Sequence, residues 1–143
     1  MPDLGGSMDS PRPIETTGGL GLGLALGGAS GVISILTAAA SSHAYGSQLL
    51  ITISQMTMLH AGAFVALGLA LAISHSRLLG FAILIIFAGL GLFCGDLAFR
   101  WFSGTRLFPM AAPTGGFMMI VGWLFVFLAG LVRVLGFSRR PRA

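Results

Sequence analysis

Long apolar stretches separated by short polar breaks dominate this chain. They cover residues 18–41, 49–74, 78–102 and 115–137, approximately. A helix needs about 20 mainly apolar residues to cross the hydrocarbon core of a bilayer, which is roughly 30 Å thick. The pattern therefore predicts an all-α fold, an integral membrane bundle of four transmembrane helices that spans residues 18–137.

The polar breaks contain turn-forming residues, which predict where the chain reverses. They read SSHAYGSQ at 41–48, SHSR at 74–77 and SGTRLFPMAAPT at 103–114, and Thr114 is placed to cap the last helix. No Asp, Glu, Lys or Arg occurs between Glu15 and Arg77. One helix of that length would be far longer than a bilayer is thick, so the chain must fold back inside the segment.

The two ends of the chain depart from the apolar pattern. Residues 1–17 hold three prolines and three of the four acidic residues, which predicts a disordered or extended tail. Residues 138–143 form a short basic tail. The small residues Ala38, Ala39 and Ala40 also allow the first stretch to be interpreted as a cleaved signal peptide, but its length and its acidic leader favour a retained span.

Composition and charge support a membrane protein and predict its orientation. The chain has 55% hydrophobic and 8% charged residues, whereas about a quarter of the residues of a soluble domain are charged. With four spans, both termini and the 74–77 turn lie on one side, and that side carries six of the eight arginines. They are Arg12, Arg77, Arg133, Arg139, Arg140 and Arg142. Because cytoplasmic flanks are rich in arginine, we expect both termini in the cytoplasm.

Scattered arginines favour contact with lipid headgroups over nucleic acid, so no nucleic-acid partner is expected. At the opposite side of the membrane we expect Arg100 and Arg106, with Tyr45, Trp101 and Phe102 at the interface.

Glycine spacing predicts where helices pack closely. In lipid, helices associate through small residues that let backbones approach each other. Glycines recur every fourth residue along the first span, and the pattern is typical of a glycine zipper that packs against a helix of the same chain or of a neighbouring copy. The glycines predicted to pack are Gly19, Gly23, Gly27, Gly31, Gly62, Gly91 and Gly95.

Asp96 is the one acidic residue inside a predicted span, and two interpretations are open. Arg100 lies four residues further along the same helical face and Arg106 in the adjoining loop, so either arginine can form an ion pair with the carboxylate. The alternative is a small polar site made by Asp96, Gln55 and His60, because ionisable groups inside membranes are often functional.

The remaining candidate chemistry is weak. His43 and His60 are predicted at different depths, so they do not suit one haem iron, and the single cysteine, Cys94, cannot form an intrachain disulfide. No nucleophile–base–acid set, phosphate loop or metal-spaced cluster occurs. We therefore expect no metal, no cofactor and no enzymatic activity.

Several sequence motifs resemble those of a known family. They are QMTMLHAGAFVALGLA at 55–70, LFCGDLAFR at 92–100 and RLFPMAAPTGGFMMIVGWLFVFLAGLVR at 106–133, with a first helix similar to GASGVISILTAAASSHA at 28–44. They resemble the small four-helix bacterial inner-membrane family called domain of unknown function 423, which is similar to the eukaryotic transmembrane protein 256 group. The family motif corresponds to Pro113, Gly115, Gly116, Gly122 and Trp123, and His60 corresponds to a family histidine.

The resemblance implies a multi-pass protein of the bacterial cytoplasmic (inner) membrane, without an activity to transfer. Two functions stay open. The first is an accessory or structural subunit that binds a larger membrane complex of respiratory or photosynthetic type, or that forms a homo-oligomer. The second is a small carrier or binding protein for a proton, ion, quinone or lipid that uses the polar site inside the membrane.

Overall fold

Four helices of equal length make up the protein in the computed structural model, which describes residues 17–43 and 47–137. Helix α1 spans Thr17–His43, α2 spans Gln48–Ser74, α3 spans Arg77–Ser103 and α4 spans Ala111–Phe137. All four are long and apolar enough to cross a membrane. The fold is therefore the all-α bundle of four membrane-spanning helices that the sequence predicts.

The predicted ends of the chain lie largely outside the described residues. Of the 1–17 tail only Thr17 is described, as the first residue of α1, and the 138–143 tail is not described. Tyr45 and the arginines of both tails also lie outside the described residues; these arginines are Arg12, Arg139, Arg140 and Arg142.

Short connections join the helices and make neighbours antiparallel. His75 ends α2 in the left-handed conformation, with φ of 49°, and its N–H donates to the carbonyl of Leu71 at 2.8 Å. Gly104 ends α3 in the same way with φ of 72°, a conformation that glycine adopts without a Cβ clash. We name the two ends of the bundle after residues near them: the His75 end holds the 75–76 turn, and the Asp96 end holds loop 104–110.

The start of α4 differs from the prediction. Thr114 does not cap this helix, because α4 already begins at Ala111 and the N–H of Thr114 donates to the carbonyl of Met110 at 2.9 Å. Pro113 lies in the first turn, where backbone N–H groups have no partner inside the helix, so its missing N–H is tolerated there. Pro113 therefore belongs to α4 and does not mark its boundary, whereas Pro109 lies in the loop before it.

The helices form two hairpins that are joined through their central members. Helix α1 packs along α2, α3 packs along α4, and a smaller contact between α2 and α3 joins the pairs. Large side chains fill that central contact, including Phe64, Ile83 and Ile86, which are fully buried. Phe64 also meets Phe87 edge to face, with ring centroids 6.1 Å apart. The core thus lies between α2 and α3, and α1 and α4 lie at the outside.

Candidate functional site

Asp96 is fully buried in α3, and three donors satisfy its carboxylate. The Nε and Nη2 atoms of Arg100 donate to Oδ2 at 2.9 and 2.6 Å. The backbone N–H of Leu107 donates to Oδ1 at 2.8 Å. A buried charge is tolerated when it is paired and hydrogen-bonded, and here both oxygens are used. Asp96 therefore ties the end of α3 to loop 104–110.

Arg106 does not share in this ion pair. It is exposed in loop 104–110, and among residues 17–43 and 47–137 the Asp96–Arg100 pair is the one salt bridge. Arg106 is nevertheless close along the chain to Leu107, which donates to the carboxylate. Its positive charge thus lies at the Asp96 end without direct contact.

The structure does not bring Gln55 and His60 to Asp96. Gln55 is exposed on the surface of α2, whereas His60 is buried near the middle of that helix and bonds to α4. Counting 1.5 Å per residue from the helix ends, His60 lies roughly 8 Å deeper than Asp96. The polar cavity that we considered for Asp96, Gln55 and His60 is therefore not assembled among the described residues.

His60 forms a separate polar contact near the centre of the bundle. Its Nδ1 lies 2.8 Å from the carbonyl oxygen of Met56, and its Nε2 lies 3.4 Å from the indole Nε1 of Trp123. A carbonyl can only accept and an indole N–H can only donate, so the neutral ring with the proton on Nδ1 satisfies both contacts. The contact joins α2 to α4, which lie in different hairpins.

A pair of serines joins α1 to α2. The hydroxyl of Ser34 donates to the carbonyl of Ser54 at 2.9 Å, and the hydroxyl of Ser54 donates to the carbonyl of Ser34 at 3.0 Å. Ser34 is completely buried. Reciprocal hydrogen bonds of this kind connect helices inside a membrane, where water does not compete for the donors.

Three of the predicted packing glycines lie in the α1–α2 contact. A Cβ at Gly19, Gly23 or Gly27 would stand within 3 Å of atoms of α2, and for Gly23 the nearest atom is the Cα of Gly68, at 2.7 Å. No side chain fits in that space, so these glycines permit close approach of the two backbones.

The other four predicted glycines make no such contact within the chain. No atom of the described residues lies within 4 Å of a Cβ built at Gly31, Gly62, Gly91 or Gly95. Among residues 17–43 and 47–137 these four glycines therefore pack against no other helix, and Gly91 and Gly95 instead line an open groove between α1 and α3.

The last-helix motif provides the α3–α4 contact. A Cβ at Gly115 would lie 2.6 Å from the carbonyl oxygen of Gly89, and one at Gly122 would clash with Ile86, whereas Gly116 faces open space. Trp123 contacts His60, and Pro113 lies in the first turn. The motif residues thus pack α4 against α3 and connect α4 to α2.

No metal centre is formed by the part of the chain that is described. Among residues 17–43 and 47–137 there is no group of three or more His, Cys, Asp and Glu side chains that could hold a metal ion. His43 is exposed at the last residue of α1 and His60 is buried in the middle of α2, so these two rings lie at different depths.

Sequence reasoning missed several contacts that the structure provides. The hydrogen bonds between Ser34 and Ser54 were not foreseen. Within α1, however, Ser34 and Ser41 extend the spacing of the glycines towards the Asp96 end of the bundle. The partner of Trp123 was not foreseen either. Gly68 and Gly89 also proved to be contact glycines, and each of them lies opposite a predicted or motif glycine of its neighbouring helix.

Four apolar helices with hydrogen bonds and glycine contacts between them define a multi-pass membrane protein. The chain matches the family described as protein of unknown function (DUF423) over residues 33–116, more than half of its length, and it belongs to that family. Gly122 and Trp123 lie beyond the matched range. No curated protein and no solved structure matches the chain.

Proposed function

We propose that the protein is a non-catalytic accessory or structural subunit of a larger complex, of respiratory or photosynthetic type, in the bacterial cytoplasmic membrane. The observation that carries the proposal is the exposure of the outer helices. In the most apolar 18-residue window of each helix, only 11% of the residues of α4 are buried, compared with 39% of those of α3. Exposed apolar surface of this extent suits burial against other membrane helices as well as lipid.

The outer face of α1 adds a more specific argument. Gly21, Ala25 and Gly28 are exposed on α1, and a Cβ at either glycine would meet no atom within 4 Å. Lipid tails pack against large side chains as well as against small ones, whereas a partner helix gains close contact only at small ones. Together with Gly31 this face would form a glycine zipper with a helix of the partner.

The proposed orientation places both termini in the cytoplasm. The support is the distribution of arginines, with Arg77 and Arg133 at the His75 end of the described bundle and Arg100 and Arg106 at the other. A fluorescent protein fused after Ala143 should then fluoresce, because such proteins mature in the cytoplasm. If the fusion after Ala143 stays dark and a second fusion, placed in loop 104–110, fluoresces, the termini lie on the opposite side of the membrane.

The carrier alternative loses the site on which it was based. Asp96 is occupied by Arg100 and Leu107, Gln55 is exposed, and His60 is bonded to Trp123. A carrier based on these three residues would need a different arrangement of α2 and α3.

Photocrosslinking from the exposed faces tests the accessory role. A benzoylphenylalanine in place of Phe127 on α4 or Ile35 on α1, which are 62% and 65% exposed, should crosslink to one distinct protein in native membranes. The same group in place of Leu124, also exposed on α4, maps the extent of the contact. Crosslinks to lipid or to the same chain alone would reject a role as a subunit of a larger complex.

A further inference from the structure

A pocket lies between α2, α3 and α4 at the His75 end of the bundle, and we name it the Ser74 pocket. Its polar lining is Ser74, Ser76 and Arg133, and its apolar lining includes Leu67, Leu79 and Val126. Its volume is about 190 Å³, whereas sites that enclose a whole small molecule have roughly 300–1,000 Å³. Because Arg133 is exposed, the pocket opens to the surface of the bundle. It can therefore hold one part of a larger molecule.

The hydroxyl of Ser74 is buried and has no hydrogen-bond partner among the described residues. Other hydroxyls near helix ends are satisfied within their own helix. Thr52 and Ser103 donate to the carbonyl four residues earlier, at 2.8 and 2.7 Å. A buried hydroxyl without an acceptor is costly. An oxygen atom of a bound molecule would supply the acceptor that Ser74 lacks.

Arg133 is held beside this hydroxyl through the same residue. Its Nη2 donates to the carbonyl of Ser74 at 3.2 Å, and no other hydrogen bond joins it to a residue in 17–43 or 47–137. A guanidinium has five N–H donors in a planar fork, which suits the oxygens of a phosphate. The one carboxylate in the described ranges is Asp96, at the other end of the bundle. Arg133 therefore has donors left for an anion.

The start of α3 adds positive partial charge to the pocket. Ser76 is the N-cap residue of α3, and its side chain forms no capping hydrogen bond. The first N–H groups of a helix have no acceptor inside the helix, and the helix dipole is positive at this end. Together with Arg133 and the Ser74 hydroxyl, this helix end favours an anion with several acceptor oxygens, such as a phosphate.

Depth and apolar walls favour a phospholipid as the source of that phosphate. Ser74 is the last residue of α2, a helix of 27 residues that is roughly 40 Å long, compared with about 30 Å for the hydrocarbon core of a bilayer. The polar lining thus lies at the level of the lipid headgroups. Leu67 and Val126 lie roughly two helical turns deeper than Ser74 and Arg133. They are placed to contact an acyl chain, which a free phosphate ion lacks.

We propose that the Ser74 pocket binds the phosphate group of an anionic phospholipid. Arg133 pairs with the phosphate, the hydroxyls of Ser74 and Ser76 donate to its oxygens, and an acyl chain follows Leu67 and Val126 towards the bilayer centre. A zwitterionic headgroup fits less well, because its ammonium group would lie near Arg133. The proposal needs neither the accessory role nor the cytoplasmic assignment, since it uses only residues near the His75 end.

The test titrates the delipidated full-length protein in a neutral detergent with phosphatidylglycerol and counts bound lipid by native mass spectrometry. One phosphatidylglycerol should bind about fivefold to tenfold more tightly than a phosphatidylcholine with the same chains. Equal affinities of the two lipids would reject the proposal.

Two further ligands identify the source of the phosphate. Diacylglycerol has the chains without the phosphate, and glycerol 3-phosphate has the phosphate without the chains, so both should bind far more weakly than phosphatidylglycerol. Glycerol 3-phosphate that binds equally well would show a site for a soluble anion, and diacylglycerol that binds equally well would show a site for apolar chains. Either result overturns the proposal.

Two arginine variants separate a site from general attraction to a basic surface. Arg133→Gln should weaken phosphatidylglycerol binding about tenfold or more, because a hydrogen-bonded charge is lost. Arg77→Gln is the matched control, since it removes the same charge at the same end but Arg77 lines a different pocket. Its affinity should change by about twofold at most. Equal losses in the two variants would reject a defined site.

Two pocket variants test the cavity itself. Ser74→Ala should weaken binding about threefold to tenfold, and it should stay folded because its hydroxyl holds no contact in the described part of the chain. Gly130→Leu should fill the pocket, since a Cβ at Gly130 would meet no atom within 4 Å. Gly116→Leu, in open space near the other end of α4, is its control and should leave the affinity unchanged. Unchanged affinity in either folded pocket variant would overturn the assignment.

Discussion

Trp123 of α4 donates its indole N–H to Nε2 of His60 on α2, at 3.4 Å, with the ring centroids 6.1 Å apart. The distance is at the long end for a hydrogen bond, so the pair combines a weak bond with ring packing. It is a direct polar contact between the two hairpins near the middle of the bundle. Both residues belong to the motifs on which the family resemblance rests.

The first prediction concerns the strength of this contact. Hydrogen bonds between membrane helices contribute about 0.6 kcal/mol on average and at most about 1.7 kcal/mol. In a double-mutant cycle of His60→Ala and Trp123→Phe we expect a coupling energy of about 0.5–1 kcal/mol, measured by unfolding in mixed detergent. Additive effects of the two substitutions would show that the rings do not interact.

The second prediction concerns the tautomer of His60. Nitrogen-15 NMR of the selectively labelled histidine should show a protonated Nδ1 and an unprotonated Nε2, because Nδ1 donates to Met56 and Nε2 accepts from Trp123. In Trp123→Phe the Nε2 signal should shift while the Nδ1 signal stays. A ring protonated on Nε2 in the neutral form would contradict the contact with Trp123.

The third prediction concerns close approach of α1 and α2. Gly23→Leu should destabilise the protein by about 1–3 kcal/mol or more, since even a Cβ there would lie 2.7 Å from the Cα of Gly68. Gly21→Leu is two residues away and faces open space, so the stability of the isolated protein should hardly change. The two variants are compared by thermal unfolding in one detergent, and equal stabilities would mean that this face of α1 is not packed on α2.

The fourth prediction concerns the connection from Asp96 to loop 104–110. Asp96→Asn keeps an oxygen that can accept from the Leu107 N–H, whereas Asp96→Leu removes it, at a cost on the order of 2 kcal/mol. Hydrogen exchange of the Leu107 amide should therefore accelerate strongly in Asp96→Leu and only slightly in Asp96→Asn. Equally slow exchange in both variants would show that another group protects this amide.

The four spans could be predicted from the sequence because their cause is simple. Each break contains polar or turn-forming residues, and a single helix cannot accommodate the uncharged segment between Glu15 and Arg77 in a bilayer. The start of α4 was misplaced because Pro113 and Thr114 are common both in loops and in first turns of helices.

The contacts between helices were harder to predict. These helices are apolar on nearly all sides, so hydrophobic periodicity does not reveal which face is buried. Glycine spacing predicted the same packing role for Gly19, Gly23 and Gly27, where a Cβ would lie within 3 Å of α2, and for Gly91 and Gly95, which line a groove. The Asp96–Arg100 contact is local in sequence and could be proposed, whereas the contact of His60 with Trp123 depends on how the two hairpins are arranged.

Mild extraction from native membranes, followed by mass measurement of the intact particle, tests the accessory role most directly. The protein should migrate with a large complex in a fixed ratio, and Gly28→Leu, which fills open space on the outer face of α1, should release it as a folded protein. Recovery of the wild-type chain only as a free monomer or homo-oligomer, in the mildest detergent, would contradict a role as a subunit of a larger complex.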